Sequence, residues 1–352
     1  MNLQLSYISS SERKDFKKFL LRLLWLGLII FVLDKAVAFW ATQAVLNDTA
    51  AFGGLSLLYQ GKVNTEIIMF GSSKTHCNID AKKFEQDTGL SSYNLAIGNA
   101  GIDMTEFMFD EYLIHNQKPK IVFIEADYTH LNEGSFKFRS ELLAPFSNVS
   151  SHTSLRLNKT KADRFAFWFF RCKNLSSGEG IGAISRSMLK YLFLSENEKN
   201  SRPASGSAAG YQDNHQWEDR NGSHLLAPVA FTKSKEELLR NTEGNRFTCS
   251  ENRKEFYRRI VATAQKHDIA VVLYGPPLFG RIRDELAQEC DGFFSSLAES
   301  PSVEYLLFRE NAELWEPELW NDRIHLNLNG AEMLTAEIIT RLNSSSLIQN
   351  GN

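Results

Sequence analysis

The sequence lacks an excess of charge of either sign. It sets 39 lysines and arginines against 42 aspartates and glutamates over 352 residues, a net charge of -3. No long basic stripe with interleaved aromatics occurs, which argues against an electrostatic nucleic-acid binder. Cysteine is sparse: Cys77, Cys172, Cys249 and Cys290 include no C-x-x-C pair, so a zinc cluster or a thioredoxin-type motif is not indicated. These four leave two readings open, disulfides in an oxidising compartment or free, partly buried thiols. No internal repeat is present. "GSSKTH", Gly71 to His76, has a Lys-Thr pair but lacks the second glycine of a phosphate-cradling G-x-x-x-x-G-K-[ST] loop. No cofactor motif stands out. His215 and His224 are the one pair to weigh as metal ligands, against the plainer reading of a solvated loop.

Apolar residues make up 43% of the chain, enough for one large domain or two modest ones. The longest apolar run lies near the N-terminus, "FLLRLLWLGLIIFVL", Phe19 to Leu33, preceded by Arg13, Lys14, Lys17 and Lys18. Arg22 and Lys35 can snorkel at its ends, and Trp40 can sit at an interface. The pattern predicts a transmembrane helix over 19–42 behind a basic cytoplasmic segment, 1–18. The rest of the chain is then expected on the extracytoplasmic side. "AVA", Ala36 to Ala38, fits a cleavage site and keeps a removable signal peptide as the alternative.

After a linker over 43–63, apolar runs alternate with helical stretches. "TEIIMF", "SSYNLAI", "KIVFIEAD", "IAVVLYGPP" and "VEYLLF" read as strands. Helical periods lie between them at "MTEFMFDEYLIHN", "ENRKEFYRRIVATAQK" and "RDELAQECDGFFSSL", with Ser250 or Asn252 as a cap for the second. "LNLNGAEMLTAEIITRL" closes the series. Strands separated by helices make parallel βαβ units. The fold class is therefore α/β, an open parallel five-stranded sheet flanked by helices over 64–343. An insertion over 129–250 follows its third strand, and 344–352 is a polar tail. The insertion holds apolar helical pieces, "ADRFAFWFFRC" and "SRSMLKYLFL", and a polar loop, "SENEKNSRPASGSAAGYQDNHQWEDRNGSH". Its aromatic run, Phe165 to Phe170, either packs onto the domain or touches an acyl chain or membrane surface.

Ligands of open parallel sheets bind at the carboxyl ends of the strands. Ser72 and Ser73 follow the first strand there, and either of them can simply cap the next turn. A serine becomes a nucleophile only when a base takes its proton and a third group orients that base. "NDRIHLNLNGA" supplies both, Asp322 and His325, from one short segment after the fifth strand. His76 is near enough in sequence to line such a site, against the plainer reading that it caps or packs.

"FGSS", "YNLAIGNAG" and "NDRIHLNLNGA", in this order, resemble the SGNH/GDSL hydrolase superfamily. Serine in place of the aspartate of "GDS", behind a membrane anchor, looks most like the branch that modifies cell-envelope polymers. That branch includes the teichoic acid D-alanyl transfer protein and the alginate O-acetylation proteins. The resemblance covers about residues 64–128 and 251–343. It implies an SGNH/flavodoxin-like fold and a triad of Ser73, His325 and Asp322. It also implies oxyanion donors at the Ser73 N–H and at Gly98 or Asn99. The implied activity is an esterase or O-acyltransferase acting on acyl groups of a surface polysaccharide or related glycan. A membrane-bound acyl carrier or O-acyltransferase is the implied partner, and no cofactor or metal is called for. The third block departs from the family's G-x-N-D. The stretch here is "IEADYTH", which has no asparagine to donate to an oxyanion. A catalytically weak module that binds glycan or a partner is the alternative.

Overall fold

A computed structural model describes residues 10–134, 136, 138–176, 217–228, 248–279, 284–309, 311–345 and 347. The helix expected over Ser185–Leu194, most of the polar loop after it, His215, the first nine residues and most of the 344–352 tail lie outside the described residues. The chain divides into two compact units, one from Met1–Val45 and Glu141–Leu194, the other from Leu46–Ser140 and Ser195–Asn352.

In the first unit, helix α1 (Ser10–Asn47) carries the apolar run up to the unit's edge. It is long and apolar enough to cross a membrane. Its side chains from Phe16 to Leu33 include no buried one, whereas Ala38, Ala41, Ala44 and Val45 are buried. The protein-facing stripe therefore begins inside the expected 19–42 span. Two short helices from the later segment join this unit, Ser151–Leu157 and Lys161–Phe169. Each starts on a hydroxyl cap: Ser150 Oγ accepts from the Thr153 N–H at 3.2 Å, and Thr160 Oγ1 from the Asp163 N–H at 3.0 Å.

The second unit holds the sheet. Its strands are β1 (Ile67–Phe70), β2 (Ser92–Asn94), β3 (Ile121–Glu125), β6 (Ala270–Gly275) and β7 (Val303–Leu307). They run in the order β2-β1-β3-β6-β7, every neighbouring pair parallel. β1 and β3 are buried at every residue, as continuous apolar runs flanked on both faces should be. A helical stretch broken by a kink at Gly53, α2 (Thr49–Tyr59), occupies much of the segment expected as linker. Helices α3 (Ser73–Asn78), α4 (Ala81–Thr88) and α5 (Ile102–His115) complete the first half. Glu251–Lys266, Asp284–Leu297 and Leu328–Asn343 complete the second. The core joins Met69, Phe84, Phe123, Tyr274 and Trp320 to Leu334 and Ile338 on the last helix.

Two sequence expectations change here. The polar loop ends in a hairpin, β4 (Trp217–Arg220) paired antiparallel with β5 (Ser223–Leu226). Its turn is Asn221-Gly222, with φ of 49° and 81°, the pairing that two-residue hairpins favour. Ser250 stands at the cap position of Glu251–Lys266, but its hydroxyl donates to Glu133 Oε1 at 2.7 Å instead of accepting from the helix. All four cysteines are free thiols, and the sulfurs of Cys249 and Cys290 lie 3.8 Å apart.

Candidate active site

The order of the strands reverses at β1, with β2 on one side and β3 on the other. Loops leaving the carboxyl ends of β1 and β3 diverge there, which opens the crevice where such sheets bind ligands. The chain leaves β1 through Gly71 and Ser72 and enters α3. Ser72 is the cap of this helix, its Oγ accepting from the Lys74 N–H at 3.3 Å. The capping expectation is thus met by Ser72, and Ser73 is left as the first helical residue. Its N–H has no acceptor within the helix, and its side chain is half-buried.

Ser73, His325 and Asp322 form one hydrogen-bonded chain. Ser73 Oγ is 2.8 Å from His325 Nε2, and His325 Nδ1 is 2.7 Å from Asp322 Oδ2. The other carboxylate oxygen, Oδ1, accepts from the backbone N–H groups of Ile324 and His325 at 2.8 and 2.9 Å. Burial alone would raise the Asp322 carboxyl. The hydrogen bond and charge of His325, with those two N–H groups, outweigh it and hold the group below its usual value. An ionised carboxylate only accepts, so the proton on this side sits on Nδ1. That leaves the Nε2 lone pair facing the Ser73 hydroxyl.

The loop that carries the pair is built rigidly. Trp320, fully buried, bridges Leu326 across it, and the N–H groups of Asn321 and Asp322 both donate to the His325 C=O, at 2.9 and 3.3 Å. Asn78, at the end of α3, ties this loop to the serine helix. Its Oδ1 accepts from the Leu326 N–H at 2.9 Å, and its Nδ2 donates to the Ile324 C=O at 3.2 Å. Sequence reasoning missed Asn78. Its partners lie 246 and 248 residues away, and no local pattern marks it.

The turn that carries Ser73 rests on β3. Glu125 accepts from the Ser72 N–H at 2.7 Å, from Ser72 Oγ at 2.7 and 2.9 Å, and from Thr75 Oγ1 at 2.8 Å. Two residues on, Asp127 pairs with Lys74 at 2.5 Å, both side chains out of solvent. Burial would lower the Lys74 ammonium, but the Asp127 and Glu125 carboxylates outweigh it and raise it. Lys74, the residue that evoked a phosphate loop, therefore points inward to a carboxylate. The acidic residues of "IEADYTH" serve the same turn.

Gly98 and Asn99 occupy a turn closed by the Ala100 N–H on the Ile97 C=O at 3.0 Å. The Ile97 N–H donates to the Gly71 C=O at 3.0 Å, so this turn begins one residue after a bond to the serine loop. Gly98 is buried. Asn99 is exposed in a left-handed conformation, φ 60°. Neither hydrogen-bonds to Ser73.

His76 and His224 lie near His325, their rings 5.3 Å apart edge to face. Among the described residues no group of three or more His, Cys, Asp or Glu is arranged to hold a metal ion. Burial first, then the neighbouring His224 and His325 rings, push the His76 imidazole down to about 3, against a hydrogen bond to the Gly222 C=O. The unfolded chain, with a histidine near 6.5, therefore takes up this proton first as pH falls. The stabilising contribution is complete above about pH 6.5 and is lost progressively toward pH 3. Buried His130 is lowered by burial as well and adds the same sign. Between pH 7 and pH 5 the His76 share is expected to be on the order of 1–2 kcal/mol. Urea unfolding at the two pH values checks it: His76→Gln should lose less stability than wild type over this interval. Equal losses would remove His76 from the acid sensitivity.

Compared with known proteins, the chain matches no family model and no curated relative.

Proposed function

We propose that this chain is a membrane-anchored serine esterase or O-acyltransferase of SGNH type, acting outside the cytoplasm on acyl groups of a surface polysaccharide or related glycan. The observation that carries the reading is the hydrogen-bonded chain from Ser73 through His325 to Asp322. In this reading Ser73 Oγ attacks the acyl carbonyl while His325 Nε2 takes its proton. Asp322 keeps His325 in the receptive tautomer and stabilises the imidazolium. The tetrahedral oxyanion is met by the Ser73 N–H, with the Gly98 or Asn99 N–H as the second donor. His325 then protonates the leaving alcohol, and an acyl-serine remains. Water or a sugar hydroxyl, deprotonated by the same imidazole, releases it. A membrane-bound acyl carrier or O-acyltransferase partner would supply the acyl group in the transfer version. α1 supplies the anchor, with its basic end on the cytoplasmic side.

The test is an active-site serine probe. A fluorophosphonate should label the full-length protein in detergent, and peptide mapping should place the adduct on Ser73. Ser72→Ala should still be labelled. No adduct on a folded wild type would sink the hydrolase reading. A second reading, a glycan- or partner-binding module of this type, is favoured by one feature. The third-block asparagine is missing, and Glu125 and Asp127 there are committed to the serine turn. Saturable glycan binding without labelling would select it.

A further inference from the structure

In the first unit the aromatic run is split between two environments. Phe167 is buried and Phe169 is half-buried, while Phe165, Trp168 and Phe170 are exposed at 64%, 59% and 52%. This leaves three large aromatic side chains on one short stretch of surface, which a soluble face rarely carries.

The stretch is fixed against α1 at one level. Asp34 accepts from the backbone N–H groups of Arg171 and Cys172 at 2.7 and 3.1 Å. Lys35 Nζ donates to the Phe169 C=O at 2.5 Å and lies 4.4 Å from the Phe31 ring centroid. Phe31 meets Phe169 edge to face at 6.4 Å. The attachment therefore falls immediately after Leu33, where the apolar run of α1 ends and four residues before its first buried side chain, Ala38. From Phe16 to Leu33, with Lys17 and Lys18 placed to snorkel at one end, the helix rises about 26 Å at 1.5 Å per residue, close to the thickness of a hydrocarbon core.

Composition agrees with this level. Lys159, Lys161, Arg164, Arg171 and Lys173 surround the aromatics, and Asp163 is the one acidic residue between Lys159 and Lys173. Aromatic side chains on one face with basic residues beside them suit the boundary between acyl chains and anionic headgroups. Phe169, which touches Phe165 and Trp168, also meets Phe31 at the end of the apolar run of α1, so the exposed aromatics sit next to a surface that itself needs lipid.

We propose that Lys161–Phe170 lies in the membrane interface beside α1, with Phe165, Trp168 and Phe170 inserted at the acyl–headgroup boundary of the leaflet that Asp34 and Lys35 reach. The occupant of this face is lipid. The first unit is then a two-part membrane element, a spanning helix with an interfacial strut bonded to it. The strut fixes the depth at which α1 leaves the bilayer. It thereby sets the point from which the following residues start. The proposal rests on the anchor reading of α1.

Tryptophan fluorescence separates the two. Full-length protein is reconstituted in phosphatidylcholine–phosphatidylglycerol vesicles whose acyl chains carry bromine near the headgroup or near the chain end. Trp25 lies midway along the exposed stretch of α1. The emission lost in Trp25→Phe reports the span, and that lost in Trp168→Phe reports the strut. Shallow bromines should remove most of the Trp168 emission and deep bromines little, with the opposite order for Trp25. Quenching of Trp25 without quenching of Trp168 would keep the anchor and overturn the interfacial strut, leaving the face to water or to a protein partner. An unquenched Trp25 would overturn the anchor, and the strut with it.

Discussion

Ser73→Ala and His325→Ala should each lower kcat for a small acetyl ester by on the order of 10⁴-fold or more, Ser73→Ala with little change in thermal stability. The two act as one unit, because the imidazole is useful only with the hydroxyl it deprotonates. The double variant should therefore be no worse than either single one. Asp322→Asn is a sharper test. Its remaining carbonyl oxygen can keep the Ile324 and His325 N–H bonds that hold the loop. Its amide would face His325 Nδ1 as a donor and move the ring proton to Nε2. The nitrogen that meets Ser73 at 2.8 Å would then donate instead of accept. Activity should collapse by on the order of 10⁴-fold while the fold stays intact. Turnover by Ser73→Ala above about a tenth of wild type would exclude Ser73 as nucleophile. In that case the hydrogen-bonded chain would be a structural tie between the two ends of the sheet domain.

Much of the sheet, and the meeting of Ser73, His325 and Asp322, is legible in the sequence. β1, β3 and β6 are apolar runs bounded by polar turns, and continuous burial is what a central parallel strand requires. Ser73, Asp322 and His325 were readable because two short motifs sit at strand ends that a parallel sheet must bring to one rim. The hairpin at Trp217–Leu226 was hidden by the polar composition around it, although Asn221-Gly222 is itself a strong turn signal. α2 was hidden inside an expected linker, where Gly53 and Gly54 weaken a helical pattern. Asn78 and Glu125 were hidden for a different reason. Their work is done across 246 and 53 residues of chain, and nothing beside either one names its partners. The glutamate at the end of a buried strand was itself a signal, since a carboxylate there must find donors.

Glu125→Ala should produce the largest loss of stability among variants at this site. The carboxylate, 1% exposed, lies against Ser72 at 1% and Thr75 at 0%, so no solvent replaces it. Gly71 is the reason it fits. A Cβ there would stand 2.6 Å from Glu125 Oε2 and 2.3 Å from Thr75 Oγ1. Truncating Glu125 leaves the Ser72 N–H, the Ser72 hydroxyl and the Thr75 hydroxyl without their acceptor. At about 1–3 kcal/mol for each buried orphan, and with part of it recovered by local shifts, the expected loss is about 3–5 kcal/mol. For a chain of this size that is a fall of roughly 5 °C in Tm. Glu125→Gln should lie between. Its amide keeps one acceptor but turns a second donor toward groups that already donate. Activity should fall in both, because the turn that aims Ser73 at His325 has lost its floor. The contrast with Ser73→Ala is the check: one variant should lose the reaction and keep Tm, the other should lose Tm first. A Glu125→Ala protein that melts within about 2 °C of wild type would show that the turn holds its own shape. The carboxylate would then be a tolerated buried charge and not the support of the Ser73 turn.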